Sequence, residues 1–124
     1  MSDVAGAARA WPVELRLKRA AKRLEIDFDD GASYRLPAEY LRVMTPSAED
    51  RGHGAGPGRL VFGKKDVALT DLTPIGRYAV RLVFDDGHDT GLYSWDALRK
   101  LGQEQDVLWS EYLQRLAREG KARV

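Results

Sequence analysis

The sequence predicts an α+β domain: an antiparallel, hairpin-rich β-sheet with two or three helices, the C-terminal one amphipathic. Three observations predict it. Short runs alternate apolar and polar residues, Asp-Asp-Gly occurs twice between such runs, and an apolar helical stripe lies near the end. A period of two marks a half-buried strand, Asp-Gly a tight hairpin turn, and a period of 3.6 an amphipathic helix.

In order along the chain, Val13, Leu15 and Leu17 alternate with Glu14, Arg16 and Lys18, giving a first strand. The basic cluster Lys18, Arg19, Lys22 and Arg23 surrounds Ala20-Ala21 and reads as a turn. Alternation resumes at Leu24, Ile26 and Phe28, turns at Asp29-Asp30-Gly31, and returns through Tyr34 and Leu36. Pro37 suits the first turn of a short helix to Met44, where a missing N–H costs nothing. Thr45 to Gly58 reads as a loop, with Pro46, Pro57 and glycines at 52, 54, 56 and 58.

Leu60–Phe62 and Val67–Leu72 read as short strands, and Pro74 with Gly76 as a turn. Tyr78, Val80, Leu82 and Phe84 place one strand face, before Asp85-Asp86-Gly87 and a return through Leu92 and Tyr93. Ser94 is placed to cap a helix through Trp95, Leu98 and Leu101, which Gly102 interrupts. A second helical stretch, about Glu104 to Glu119, carries Leu108, Trp109, Tyr112, Leu113 and Leu116 on one face as core or a docking surface. Gly120 ends it, and Lys-Ala-Arg-Val reads as a tail. Residues 1–11 are read as a disordered N-terminus, 12–102 as the domain, and 103–124 as a helix and tail of the same domain.

The composition excludes several functions. The 20 basic and 19 acidic residues leave a net charge of +1, without the basic excess of a nucleic-acid binder. No cysteine is present, so this chain forms no disulfide, thiolate zinc site, iron–sulfur ligation or thiol nucleophile. No apolar run is long enough to span a membrane, and no signal-peptide stretch opens the chain, so the expected location is the cytoplasm. Gly58-Arg-Leu-Val-Phe-Gly63-Lys64 matches a phosphate-binding loop by letter only. Lys65 stands where Mg²⁺ needs Ser or Thr, and the intervening Leu60, Val61 and Phe62 read as a strand. The basic clusters lack interleaved aromatics that would stack bases.

One pattern organises the chain. Leu-Glu-Ile-Asp-Phe-Asp-Asp-Gly at 24–31 is followed by Leu41-Arg42, and Val-Arg-Leu-Val-Phe-Asp-Asp-Gly at 80–87 by Leu98-Arg99. Each unit reads as strand, hairpin, return strand and a helix carrying Leu-Arg. Two such modules packed through a shared sheet are one reading, and a chance recurrence of generic turn chemistry is the other.

The stretch from Pro12 to about Gly102 resembles the N-terminal domain of the γ-butyrobetaine hydroxylase family. The 24–31 hairpin, Leu-Pro-x-x-Tyr-Leu-Arg at 36–42, Asp86-Gly87-His88 and Tyr93-Ser94-Trp95 carry the match. Thr-Pro-Ser-Ala-Glu-Asp-Arg-Gly-His-Gly at 45–54, Gly-Lys-Lys-Asp-Val at 63–67 and the run Tyr78 to Asp96 resemble its stand-alone bacterial branch, a domain of unknown function. The resemblance implies a non-catalytic domain, since the hydroxylases carry their iron and 2-oxoglutarate site in another domain. It also implies a zinc site that is altered here. Thr45, Ser47 and Asp50 fall in the three cysteine slots and His88 in the histidine slot, and Thr and Ser hydroxyls are poor zinc ligands.

These readings set the expectations. The chain is expected to be no enzyme and to hold no cofactor. It is expected to be a protein-interaction or accessory module for an unknown protein partner, without nucleic-acid or membrane binding. Family fusions imply a link to iron–sulfur or respiratory-cofactor metabolism. The expected interaction surface is Arg51, Gly52, His53 and Gly54 with His88 and Asp89. The alternative is a single iron or zinc ion held by His88, His53 and Asp50. His88–Asp89 beside Ser94 shows no spacing specific to nucleophilic catalysis.

Overall fold

The computed structural model describes residues 11–44, 60–89 and 91–124. The expected loop at 45–58 therefore lies wholly outside the described residues, as does the N-terminal segment up to residue 10. The described residues form two antiparallel three-stranded sheets and three helices, an α+β fold. Strands β1 (Pro12–Lys18), β2 (Arg23–Phe28) and β3 (Ser33–Pro37) make the first sheet in that order, and helix α1 (Ala38–Val43) follows. Strands β4 (Leu69–Ile75), β5 (Ala79–Phe84) and β6 (Gly91–Ser94) make the second sheet in the same order, and α2 (Trp95–Gln103) follows. Helix α3 (Gln105–Arg118) and a tail complete the chain.

The two modules are structural equivalents, built on two sheets rather than the shared sheet that the pattern suggested. Gly31 and Gly87 take φ of +90° and +91°, and both amides donate to the carbonyl three residues back, Phe28 and Phe84. Register shifts fall at equivalent places, between Pro12 and Glu14 and between Leu69 and Asp71. The Ala38 amide donates to the Lys22 carbonyl just as Trp95 donates to Tyr78. Chance turn chemistry does not reproduce pairing, bulge and helix start together.

The modules lock by exchange. Arg42 Nε donates to Asp86 Oδ2 at 2.9 Å, and Arg99 Nη1 donates to Asp30 Oδ1 at 3.3 Å. The Tyr40 hydroxyl donates to the Leu101 carbonyl, and the Tyr93 hydroxyl to the Leu41 carbonyl. The two arginine–aspartate pairs are thus reciprocal, as across an isologous interface, while the two tyrosine bonds cross between non-equivalent positions. Between them lies one core in which Leu24, Ile26 and Phe28 of β2 join Val80, Leu82 and Phe84 of β5, with Leu41 and Leu98. Burial of these side chains is the main favourable contribution to the fold.

Several local expectations are corrected. Leu60–Phe62 is no strand; Val61 is buried, and its carbonyl accepts from the Tyr112 hydroxyl. Pro74 lies inside β4 opposite Val80, which an edge strand tolerates because no second neighbour needs its N–H. The turn falls instead at 76–78, so Tyr78 leaves the strand face and is 65% exposed. Val13 sits at the β1 irregularity and is exposed, while Leu15 and Leu17 pack on the core. Ser94 caps α2 as expected, its hydroxyl accepting from the Ala97 amide at 3.0 Å.

Gly102 does not break α2, which continues to Gln103. It is glycine because the Tyr34 ring lies against it: an added Cβ would sit 2.4 Å from the ring's Cγ. Gly102→Ala is therefore expected to destabilise the protein by about 1–2 kcal/mol, the overlap outweighing the roughly 1 kcal/mol gained in helix propensity. In a Tyr34→Ala background the same change should become neutral or stabilising. Urea denaturation of the two single variants and the double variant measures this reversal.

Candidate functional site

The hairpin turn that carries His88 is built by its own main chain. The His88 amide donates to Asp86 Oδ1 at 3.0 Å, and its carbonyl accepts from the Phe84 amide at 2.9 Å. The imidazole lies against the Phe84 ring, with centroids 5.9 Å apart. Asp86 is the electrostatic centre of the turn, receiving Arg42 at 2.9 Å and Lys64 Nζ at 2.6 Å. Burial alone would raise its carboxyl pKa. Lys64, the His88 amide and Arg42 outweigh that and hold it near 2.

Arg42 and Lys64 flank the 45–59 segment in sequence, and both end on Asp86. The expected surface is described only at His88, half-buried, and Asp89, exposed. Arg51, Gly52, His53 and Gly54, and the Thr45, Ser47 and Asp50 slots, lie outside the described residues. Among the described residues no group of three or more His, Asp or Glu side chains is placed to hold a metal ion. None of the described helices is long and apolar enough to cross a membrane.

A family model described as gamma-butyrobetaine hydroxylase-like, N-terminal, matches residues 15–99. The chain belongs to that family. Two NMR solution structures are each 47% identical to it. One covers 92% of this chain and 90% of its own with a TM-score of 0.80, the other 99% and 90% with a TM-score of 0.81. A crystal structure of a DUF971-family protein with unknown function from Acidithiobacillus ferrooxidans ATCC 23270 is 38% identical. It covers 73% of this chain and 91% of its own, with a TM-score of 0.62. No curated protein matches the chain.

Within this gamma-butyrobetaine hydroxylase-like domain, the repeat exposes a contrast between the outer faces of its two sheets. On the first sheet, Arg16 pairs with Glu14 at 3.1 Å, Glu25 at 3.2 Å and Asp27 at 2.9 Å, and Arg23 pairs with Glu25 at 2.8 Å. The guanidinium of Arg16 holds the Asp27 carboxyl below its ordinary range, and Arg23 does the same for Glu25. On the second sheet the corresponding register rows are Asp71 with Val83, and Thr73 with Arg81 and Leu92. Ile75 and Ala79 form the next row, and Ile75 is 41% and Leu92 47% exposed. One scaffold thus carries an ion-pair lattice on one outer face, and on the other Ile75, Ala79, Val83 and Leu92 interspersed with Asp71, Thr73 and Arg81.

A second concave feature escaped the sequence reading. Glu39 on α1 is only 7% exposed, and its two carboxylate oxygens accept from Arg123 at 2.7 and 2.9 Å. The Arg123 guanidinium lies 5.3 Å from the Trp109 ring centroid, and Trp109 meets Tyr40 edge-on at 6.2 Å. Beside them a groove of about 280 Å³ continues past Pro37, Gln105 and Asp106. The only sequence signal was the aromatic stripe of α3, and nothing local linked it to an arginine in the tail.

Proposed function

We propose that this domain is a non-catalytic interaction module whose docking surface is the outer face of the second sheet, next to the His88 turn. One observation carries the reading: where the first sheet has Lys18, Arg23, Asp27 and Arg35, the equivalent positions of the second are Ile75, Ala79, Val83 and Leu92. The scaffold does not require apolar side chains there, because its other half folds with Lys18, Arg23, Asp27 and Arg35 in those places. Clustered exposed apolar residues on a sheet face are the usual mark of a contact surface. The partner is a protein, and the family's link to iron–sulfur or respiratory-cofactor metabolism makes proteins of that metabolism the first to test.

Transplanting the first sheet's residues onto the second tests this. Thr73→Arg, Arg81→Glu, Val83→Asp and Leu92→Arg together reproduce Arg16, Glu25, Asp27 and Arg35. They are expected to keep the fold and remove at least about nine-tenths of the partner captured by crosslinking from cell extract, as loss of a hot-spot cluster does. Equal capture by the wild type and a folded quadruple variant would sink the surface. Recovery of no partner at all would count against the module.

A metal ion at His88 with His53 and Asp50 is the weaker reading. Arg42 and Lys64 already neutralise Asp86 beside that turn and oppose a further cation. Metal analysis of untagged protein with a His88→Ala control decides it, stoichiometric metal lost in the variant being the result that would revive it.

A further inference from the structure

We propose that the cradle of Glu39, Tyr40 and Trp109 is a binding site for an arginine side chain of a partner peptide, in which the chain's own Arg123 is a displaceable placeholder. This site lies on α1 and α3, and its argument does not rest on the sheet surface above.

The chemistry of the site selects a guanidinium. Glu39 presents both carboxylate oxygens from a nearly buried position, which matches the planar fork of arginine, and Trp109 offers a ring face for stacking. A lysine ammonium would fill neither role as well, because it is a compact point charge without a bidentate edge. The receptor half is fixed by the fold rather than by its occupant. Glu39 is flanked on α1 by Ala38, Tyr40 and Leu41, all at most 1% exposed, and the Tyr40 hydroxyl is anchored on the Leu101 carbonyl at 2.7 Å.

The occupant is held far less firmly. Lys121, Ala122 and Val124 are exposed. Besides the Arg123 side-chain contacts, the tail is tied by the Lys121 amide to the Leu116 carbonyl, by the Gly63 and Lys65 amides to the Ala122 and Arg123 carbonyls, and by Lys121 over the Phe62 ring. A segment with little buried apolar surface opens at low cost. With Arg123 in place the groove still leaves space toward Asp106 and Gln105, whose side-chain oxygens can accept from the main chain of a longer ligand. The tail therefore fills only part of the site. As an intramolecular competitor, it lowers the apparent affinity for a peptide in trans.

The test uses two peptides, acetyl-Gly-Arg-Gly-amide and the same peptide with citrulline, the neutral isostere of arginine. Indole N–H resonances report on the full-length protein, with Trp11 and Trp95 as internal controls. The arginine peptide is expected to shift the Trp109 indole and leave the other two in place. It should bind Arg123→Ala about ten-fold more tightly than the wild type, because the tethered competitor is gone. The citrulline peptide should bind that variant at least about ten-fold more weakly, the loss of a charge-assisted pair. Equal affinities for the two peptides, equal affinities of wild type and variant, or no shift at Trp109 in Arg123→Ala would each overturn the proposal and leave Arg123 as a structural clamp. Because the discriminating change is in the ligand, misfolding of a variant cannot imitate the expected result.

Discussion

Asp86→Ala is expected to lower the unfolding free energy by about 3 kcal/mol. The reason is what the change leaves behind. Arg42 and Lys64 have side chains only 10% and 24% exposed, and each loses its carboxylate. The equivalent Asp30→Ala should cost clearly less, because Asp30 is 43% exposed and Arg99 also stacks on Phe28. Two carboxylates that are equivalent in the repeat should thus differ in importance, and urea denaturation of both variants measures it.

The same carboxylate sets part of the acid stability. Its folded value near 2 lies below the ordinary Asp value of 3.8, so its contribution is present above about pH 4 and is lost as the pH falls through about 2. After discounting for solvent screening, this contribution is about 1–2 kcal/mol. Asp86→Asn should flatten the stability profile of the wild type between pH 4 and 2 by about that amount, with the remaining slope left to the other paired carboxylates. A profile unchanged by the substitution would refute the assignment.

Tyr40→Ala is expected to cost about 4 kcal/mol, and Tyr40→Phe about 1–2 kcal/mol. Tyr40 is 1% exposed, its hydroxyl donates to the Leu101 carbonyl, and its ring meets Trp109. Burial pushes the phenol up to about 12, so it remains a donor at neutral pH. The ring joins α1, the end of α2 and α3, so its truncation should also release α3. Hydrogen exchange in Gln105–Arg118 is expected to accelerate more in Tyr40→Ala than in Tyr40→Phe. Protection that persists in α3 would show that this helix holds its place without Tyr40.

Much of the fold was legible because its signals are local. The alternation in 24–28 and 80–84, the two Asp-Asp-Gly turns, the Ser94 cap and the stripe of α3 each depend on residues within one or two turns of chain. Errors arose where a local signal was outweighed by placement. Pro74 marks a turn in isolation but is accommodated on an edge strand, and Gly102 reads as a breaker but serves the approach of Tyr34. Of the expected site, only His88 and Asp89 lie within the described residues, and the chain next to His88 is organised by Arg42 and Lys64, which the sequence marked as parts of local motifs but not as partners of Asp86.

By itself, the sequence determined that this chain makes two Asp-Asp-Gly hairpins, an amphipathic last helix and no thiolate chemistry. Its resemblance placed it in the right family. Tertiary structure alone decided that the two hairpins are equivalent modules exchanging Arg42 and Arg99 across the core, that one outer face is an ion-pair lattice and the other a mixed one with Ile75, Val83 and Leu92, and that Glu39 meets Arg123. The physical reason is range. Hydrophobic period and turn geometry are set by neighbours in the chain, whereas the partner of a long charged side chain is set by strand register and helix packing, which join residues as far apart as 39 and 123.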